Sequence, residues 1–301
     1  MNPQGTGIVF VVATKDRPGS LARLLGSLEA QTVFPAEVVV VDGGAESVEA
    51  LCQAARPFPV RHLRCLPPSS TRQRNAGVDA AGRGIPFIGF LDDDVLLERW
   101  AVEEMMRFWA GAAADVGGAA FNMLNHPPPR ASRWKSMLVT ERLGIYSRKA
   151  GAVTKSGFQT MIGRVGETVT TAWLPSGAVV WRREVLDRLR FDEWFAGYGY
   201  LEDLDFSFRA AKSFLLKVVA RAGYTHHPES ASRPDQYRFG RKEVANRLHF
   251  VRKNPELSPA LCRLTLGLRM LMSLADGIFR GERKELSRAR GNLSALLTGG
   301  R

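Results

Sequence analysis

Three largely apolar runs constrain what this chain can fold into, because each is long enough for one buried strand and each leads into a polar turn. The runs cover residues 8–13, 37–42 and 86–91. Continuous apolar runs rich in β-branched residues are typical of strands covered on both faces. A weaker strand is predicted near residues 60–66.

Helical patterns separate these runs. Leucines at helical spacing follow Ser20, which is suited to cap a helix that continues to about Gln31. Further helices are predicted at about residues 47–55 and 70–81. Alternation of strand and helix predicts an α/β fold with a mostly parallel central sheet that is flanked by helices.

Polar and acidic residues follow the predicted strands. Thr14 and Asp16 follow the first, Asp42 ends the second, and the acidic triplet 92–94 follows the third. Ligands of open parallel sheets bind beyond the carboxyl ends of the strands. A cluster of carboxylates is electrostatically costly without a cation, and hard divalent ions prefer carboxylate and phosphate oxygens. The pattern predicts a binding crevice; a solvent-exposed acidic turn is the alternative for the triplet.

Composition narrows the class of protein. The 301 residues are 45% hydrophobic, enough for one large domain with an appendage or two small domains. The three cysteines, Cys52, Cys65 and Cys262, are scattered, which favours a reducing compartment without disulfides. We expect no signal peptide and a cytoplasmic protein. A net charge of +12 favours nucleic acid, nucleotide diphosphates or an anionic membrane leaflet as partners.

The second half has a different pattern. Residues 126–171 begin with three prolines and show poor periodicity, so we expect an inserted loop there. Strands and helices return before a predicted helix that starts near Glu202 and a strand at 215–220. From about Tyr237 the chain is basic and helical. Residues 257–279 are rich in Leu and Met but contain arginines, which favours an interfacial amphipathic helix over a membrane span.

The first 94 residues contain four short motifs: ATKDRP at 13–18, VDGG at 41–44, RNAG at 74–77 and DDD at 92–94. These motifs, in this order, resemble those of the family 2 glycosyltransferases, which have the GT-A nucleotide-sugar fold. Further similar motifs are LPSGA at 174–178 with Arg182 and Arg183, FDEWF at 191–195, YLEDLDF at 200–206 with Arg209, and the histidine pair 226–227. The resemblance covers about residues 7–230, without the predicted insertion.

This resemblance implies a GT-A type, Rossmann-like catalytic domain over residues 1–236, with a nucleotide-sugar-binding half at 1–120 and an acceptor half at 121–236. Residues 237–301 would form a basic helical C-terminal extension. The implied activity is inverting transfer of a sugar from a nucleotide-diphosphate donor to a glycan or glycolipid acceptor, in cell-envelope or polysaccharide biosynthesis. The implied cofactor is Mn²⁺ or Mg²⁺.

The resemblance also implies donor-side roles. The expected donor contacts are Thr14, Asp16, Arg17, Asp42, Arg74, Asp92, Asp93, Gly177, Trp194 and Arg241. Asp16 and Asp42 would bind the base and ribose, or Asp42 would instead cap a turn or helix. Arg74 would reach the base or diphosphate or remain a simple surface residue. Trp194 would stack on the acceptor sugar or pack in the core. Arg241 would close over the diphosphate, with Arg238 and Lys242, or belong to a solvated face that meets anionic lipid.

Metal and catalytic roles complete the implied site. Asp94 would bind the divalent ion, with Asp92 or Asp93 holding ribose and metal-bound water. His226 would complete the coordination, and His227 is nearly as good a candidate. The alternative is that either histidine is an ordinary core or surface residue. Asp203 would be the catalytic base, and Glu202 would orient the acceptor or the site. The alternative is that these carboxylates, together with Asp205, merely favour the helix N-terminus, and for Asp205 we prefer it.

Other functions remain alternatives. A nucleic-acid-binding protein is disfavoured because no helix-turn-helix, zinc or aromatic-basic strand signature is present. A sugar nucleotidyltransferase is disfavoured because residues 14–19 are a poor version of its Gly-rich loop. A non-catalytic GT-A-like relative is the third alternative. We expect peripheral association with the inner face of the membrane through residues 237–301, while the donor sugar, acceptor and oligomeric state stay open.

Overall fold

The computed structural model describes residues 7–126, 138–197, 199–228 and 235–299. The chain divides into two compact units, Met1–Pro129 with Ile162–Pro228, and Arg130–Met161 with Glu229–Arg301. The structure thus groups the central part of the predicted insertion with the C-terminal segment, whereas we expected it within the acceptor half of the catalytic domain.

The first unit opens with the predicted alternation of strands and helices. Its elements are β1 (Ile8–Thr14), α1 (Pro18–Glu29), β2 (Glu37–Asp42), α2 (Glu49–Gln53), β3 (Val60–Arg64), α3 (Ser70–Ala80) and β4 (Phe87–Asp92). All four strands are parallel, in the order β3-β2-β1-β4. Thr14 is in register with Asp42, and Ala13 with Asp92. The carboxyl ends of three strands therefore lie in one row.

The rest of this unit extends the sheet. Its elements are β5 (Val95–Leu97), α4 (Ala101–Gly111), β6 (Val116–Met123), β7 (Val169–Thr171), β8 (Ala178–Arg182), α6 (Arg183–Arg188), α7 (Glu202–Ala210) and β9 (Leu215–His226). The sheet order is β3-β2-β1-β4-β8-β6-β9-β5, and β7 pairs with β9. Among the described strands, β8, β5 and β7 run against the direction of the others. The predicted α/β fold with a mostly parallel sheet is confirmed.

Helices cover both faces of the sheet. The predicted leucines of α1, Leu21, Leu24, Leu25 and Leu28, are buried against one face together with Phe10 and Val12 of β1. The alternate residues Val9 and Val11 point to the other face, where they pack with Val78 of α3 and Phe206 of α7. Both faces of β1 are apolar for this reason, as strands in the middle of such a sheet require.

The second unit is helical. It contains α5 (Leu138–Arg142), α8 (Gln236–Arg252), α9 (Pro259–Phe279) and α10 (Arg283–Leu297). The predicted helical C-terminal extension is confirmed. A Cβ atom on Gly240 of α8 would lie 2.3 Å from the carbonyl oxygen of Arg288, so α8 and α10 approach closely at this glycine. None of the helices in the described ranges is long and apolar enough to span a membrane.

Gly77 of α3 offers a test of the packing between helix and sheet. A Cβ atom on Gly77 would lie 2.2 Å from Cγ1 of Val11, whereas one on Gly26 of α1 would meet nothing within 4 Å. We expect Gly77→Ala to lower the free energy of unfolding by about 1–3 kcal/mol through overpacking. The matched variant Gly26→Ala should raise it by roughly 0.5–1 kcal/mol. Equilibrium urea unfolding measures both; equal stability of the two variants contradicts this packing.

Candidate active site

The acidic triplet places its three carboxylates in different surroundings. Asp93 is fully buried: Thr14 Oγ1 donates to its Oδ2 at 2.6 Å, and Arg17 Nη2 forms an ion pair with its Oδ1 at 2.8 Å. Burial raises the pKa of Asp93 to about 7. Asp92 and Asp93 were both expected at the ribose. Asp93 has no exposed surface, whereas the side chain of Asp92 is 37% exposed.

Asp94 faces a histidine. His226 Nε2 lies 3.2 Å from Asp94 Oδ1, and Arg17 Nη1 lies 3.1 Å from Oδ2. Burial opposes ionisation, but the hydrogen bond with His226 and the charge of Arg17 hold the pKa of Asp94 below its ordinary value. Antiparallel pairing of β5 with β9 sets Val95 opposite His226 and so creates this contact. The ring of His227 instead contacts Thr225 Oγ1 at 2.9 Å, so His226 is the histidine at the triplet.

Asp94 and His226 suit one divalent ion. An octahedral Mg²⁺ with bonds of about 2.0–2.1 Å has neighbouring ligands roughly 3 Å apart, close to the separation of Asp94 Oδ1 and His226 Nε2. Carboxylate and imidazole are both donors that such ions accept. Within the described ranges no group of three or more His, Cys, Asp or Glu side chains is arranged to hold a metal. Further ligands would come from substrate phosphate and water, since Asp92, the third predicted ligand, is not grouped with the pair.

Arg74 joins the strand end to α7. Its Nη1 donates to Glu202 Oε1 at 2.9 Å and its Nη2 to Asp92 Oδ1 at 3.0 Å, and the side chain is buried. Arg74 is therefore neither a surface residue nor, in this structure, free to bind a base or diphosphate. Gly177 supports the same corner, because its carbonyl accepts the N–H of Asp92 at 2.9 Å. A Cβ there would lie 3.1 Å from Asp92 Oδ2.

The start of α7 carries the predicted base. Asp203 Oδ1 accepts the N–H of Leu204 at 2.7 Å. Burial raises the pKa of Asp203 to about 7, the neighbouring Glu202 adds to the rise, and Arg74 opposes it. This carboxyl group exchanges its proton near neutral pH, as a general base requires.

An unusual backbone leads into α7. The φ angles of Gly199, Tyr200 and Leu201 are 75°, 139° and 70°. A Cβ on Gly199 would lie 2.6 Å from Ser70 Oγ, so only glycine fits there. Glu202 Oε2 accepts the N–H of Tyr200 at 2.7 Å. Strained residues of this kind persist only where the surrounding contacts hold them.

Asp205 has a structural partner. It is buried, and Arg209 Nε donates to its Oδ2 at 3.0 Å. The pair is spaced i, i+4 on α7, so Asp205 has a partner within the helix besides its place in the acidic first turn.

Asp42 adopts the alternative role of capping a turn. It is fully buried and accepts the N–H groups of Gly44 at 2.7 Å and Val48 at 3.1 Å. Arg64 Nη1 donates to Oδ2 at 2.5 Å, and His62 Nε2 lies 3.4 Å away. Although burial opposes it, these donors lower the pKa of Asp42. The carboxylate has no exposed oxygen for a base or ribose, so this structure gives it the role of organising the turn after β2.

Asp16 and Trp194 are exposed. Asp16 adopts a φ of 54° and accepts the N–H of Ala45 at 2.6 Å. Trp194 is 46% exposed, so the alternative that it packs in the core is wrong. Asn75 anchors the loop of Trp194 by exchanging two hydrogen bonds of 3.0 Å with the backbone of Phe191.

Arg241 belongs to the second unit. It lies on α8, and its Nη1 donates to Ser294 Oγ of α10 at 2.6 Å. Its expected contact with the donor diphosphate stays a prediction.

Two residues of the site were missed by sequence reasoning. Gln73 Nε2 donates to the carbonyl oxygens of Thr14 at 2.9 Å and Val41 at 2.7 Å, which ties the ends of β1 and β2 together. Arg64 neutralises Asp42 from the next strand. The sequence could have indicated Arg64, because parallel pairing of the predicted strands sets Arg64 opposite Asp42.

Comparisons with known proteins agree with this fold. The model of the family described as Glycosyl transferase family 2 matches residues 9–165. The uncharacterized glycosyltransferase YwdF of Bacillus subtilis (strain 168) is 26% identical over 245 residues, which cover 80% of this chain and 82% of the relative.

Solved structures with a similar fold include S. aureus TarS. The structure of TarS 1-349 in complex with UDP-GlcNAc has a TM-score of 0.60 at 16% identity, covering 98% of this chain and 81% of that chain. A longer TarS structure has a TM-score of 0.55 at 16% identity, covering 86% of this chain and 42% of that chain. This chain thus spans less than half of the longer TarS chain, and the likeness at this identity concerns the fold.

Arg17 offers a test of the buried ion pair. Burial raises the pKa of Asp93 from 3.8 to about 7. The stability that the protonated Asp93 carboxyl group contributes is therefore complete below about pH 4 and is lost as the pH rises through about 7. Arg17 opposes this loss, since its charge lowers the pKa of Asp93. We expect Arg17→Met to be increasingly less stable than the native chain above about pH 6, by roughly 1–3 kcal/mol near pH 8.5.

Urea unfolding across this pH range in chelating buffer measures the difference. Arg107→Met is the control, because Arg107 is 57% exposed and pairs only with surface carboxylates in the described contacts. Its deficit should stay within about 1 kcal/mol and change little with pH. A pH-independent deficit for Arg17→Met argues against the pair.

Proposed function

The chain belongs to glycosyl transferase family 2, and from this membership we propose an inverting transfer of a sugar from a nucleotide-diphosphate donor to a glycan or lipid-linked acceptor. One arrangement carries the proposal. Asp94 and His226, a pair suited to a divalent ion, lie at the same strand end as Asp92. Arg74 in turn joins Asp92 to Glu202 at the start of α7. Asp203, with its pKa near 7, lies at that start.

The donor side of the proposal uses the strand ends. S. aureus TarS has been crystallised with UDP and with UDP-GlcNAc, which supports a nucleotide-diphosphate sugar as the donor. Asp94 and His226 would hold Mn²⁺ or Mg²⁺. Such an ion supplies Lewis-acid stabilisation of the departing nucleotide diphosphate. Asp92, partly exposed and held by Arg74, would be the carboxylate of the triplet that accepts from donor hydroxyls.

The acceptor side uses Asp203. Its carboxylate takes the proton of an acceptor hydroxyl while that oxygen attacks the anomeric carbon opposite the departing diphosphate. The new C–O bond forms as the bond to the diphosphate breaks, so the anomeric configuration inverts. Arg74 fixes Glu202, and Glu202 in turn accepts the N–H of Tyr200, so Glu202 positions the loop beside the base. Exposed Trp194 offers a ring on which the acceptor sugar stacks.

The proposed acceptor determines where in the cell the reaction takes place. A lipid-linked or glycolipid acceptor is anchored in a bilayer. The proposed role is therefore in cell-envelope or polysaccharide biosynthesis, at the cytoplasmic face of a membrane.

Thermal unfolding with a panel of UDP-, GDP-, dTDP- and CDP-sugars tests the donor site. We expect one nucleotide to raise the melting temperature and Mn²⁺ to enlarge the rise, because a ligand at 100 times its Kd stabilises by about 2.7 kcal/mol. His226→Gln should remove the Mn²⁺-dependent part, whereas His227→Gln should keep it, since only the ring of His226 lies against Asp94. Failure of every donor with and without metal contradicts the proposed donor class.

Asp203→Asn tests the base. We expect turnover to fall by about 10²–10⁴-fold, because the amide cannot take the acceptor proton. Donor-induced stabilisation should persist, since Asp203 is not assigned to donor binding. The matched control is Asp187→Asn on α6, whose exposed carboxylate pairs with Arg183 outside the site. Full activity of Asp203→Asn refutes the assignment.

The pH profile of kcat/KM tests the same group by a second route. The raised pKa of Asp203, about 7, means that the required carboxylate is lost as pH falls. We expect kcat/KM to rise with pH through about 7 and then level off. Arg74→Gln should move the midpoint to higher pH, because the charge of Arg74 favours the ionised form. A flat profile between about pH 5.5 and 8.5 contradicts a base with this pKa.

A further inference from the structure

Helix α9 exposes its largest apolar side chains to solvent. The residues are Leu264, Leu268, Leu271, Met272, Leu274, Ile278 and Phe279, with exposed fractions from 39% to 87%. At 3.6 residues per turn they fall within an arc of about 160° along the whole helix. We call this surface the α9 face. The other residues on the same arc, Ala260, Leu261, Gly267 and Ala275, are also uncharged.

The opposite side of α9 contains the buried residues of the helix, which are Cys262, Thr265, Leu266 and Gly277. A Cβ atom on Gly277 would lie 2.6 Å from Leu286 Cδ2, so α10 approaches this side closely. A surface helix of a water-soluble protein normally buries its apolar stripe. Here that stripe faces outward, and contiguous apolar patches of this kind mark contacts with proteins or membranes.

The surroundings of the α9 face are basic. Residues 237–301 contain fourteen Lys and Arg against five Asp and Glu. Arg263 lies near the first end of the face, and Arg280, Arg283 and Lys284 lie at the other; all four are exposed. Basic side chains next to an apolar helical face are attracted to anionic lipid headgroups.

A second copy of the chain matches this surface less well. In an antiparallel pair of α9 faces, Arg263 of one copy would meet Arg280 and Arg283 of the other. In a parallel pair the same basic ends would lie side by side. Both arrangements bring like charges together at the rim of the contact, which is unfavourable. An anionic bilayer offers apolar chains to the face and negative headgroups to both ends.

We therefore propose that α9 lies flat in the interface of an anionic bilayer, with the α9 face among the acyl chains and the flanking arginines and Lys284 among the headgroups. With 21 residues, the helix covers about 30 Å of the surface. This proposal concerns the helical unit and does not depend on glycosyl transfer, so a failure of the donor or base assignments leaves it in place.

Co-sedimentation of the full chain with vesicles tests the proposal. The vesicles are phosphatidylcholine alone, and phosphatidylcholine with about one third phosphatidylglycerol. We expect binding to the anionic vesicles, at least tenfold weaker binding to the neutral ones, and weaker binding at high salt. No binding to anionic vesicles, or equal binding to both kinds, overturns the proposal.

Two charge substitutions locate the contact. The double variant Leu271→Glu/Ile278→Glu should bind anionic vesicles at least about tenfold more weakly, because both side chains are exposed in the centre of the face and carboxylates oppose insertion. Met161→Glu is the matched control, since Met161 is 59% exposed, similar to Ile278 at 61%, but lies outside α9. Equal far-UV circular dichroism of the variants checks the fold.

The variants also distinguish a protein partner from lipid. Native-like vesicle binding by the double variant overturns the proposal. If the same variant also converts a dimer of the native chain to monomer in analytical ultracentrifugation, the α9 face is assigned to a second copy instead. Reduced vesicle binding by Met161→Glu to the same extent as by the double variant contradicts a contact specific to α9.

Discussion

Repulsion among carboxylates is the constraint on which the site depends. Parallel pairing of β1, β2 and β4 sets Thr14 beside Asp42 and Ala13 beside Asp92, so acidic residues gather at one edge of the sheet. Three arginines compensate them, each from a different element: Arg17 after β1, Arg64 at the end of β3 and Arg74 on α3. Each guanidinium donates in more than one direction, and each therefore ties together segments that are distant in the sequence.

Two carboxyl groups of this unit share a pKa near 7 but serve different purposes. Burial raises the pKa of Asp93, whereas its contacts with Thr14 and Arg17, which link the ends of β1 and β4, oppose the rise. Asp203 is half-buried at the first turn of α7, where Glu202 raises and Arg74 lowers its pKa. Geometry separates the two: a base must reach its substrate, and among these groups only Asp203 has an exposed surface with which to do so.

The helical unit is held together by a different set of interactions. Glu243 of α8 is buried, accepts two hydrogen bonds from Arg288 and one from Asn292 of α10, and its pKa is lowered by these donors despite burial. Close approach at Gly240 lets the two helices form this network. The buried residues of α9 are Cys262, Thr265, Leu266 and Gly277, whereas most of its leucines are exposed. One unit thus carries the groups suited to chemistry, and the other carries a surface suited to lipid.

The sequence by itself determined the alternating strands and helices of residues 8–92, a mostly parallel sheet and the family, because apolar runs, helical spacing and short motifs are local. It also brought the acidic strand ends together, since parallel strands share their carboxyl edge. Only the tertiary structure decided that Asp42 is buried, that Arg74 bridges Asp92 and Glu202, that His226 rather than His227 meets Asp94, and that part of the predicted insertion groups with the C-terminal helices. Several of these outcomes depend on contacts between residues that are far apart in the sequence, up to 128 positions for Arg74 and Glu202. The local sequence pattern identifies the candidate residues, but long-range packing and charge compensation determine which of them contact one another.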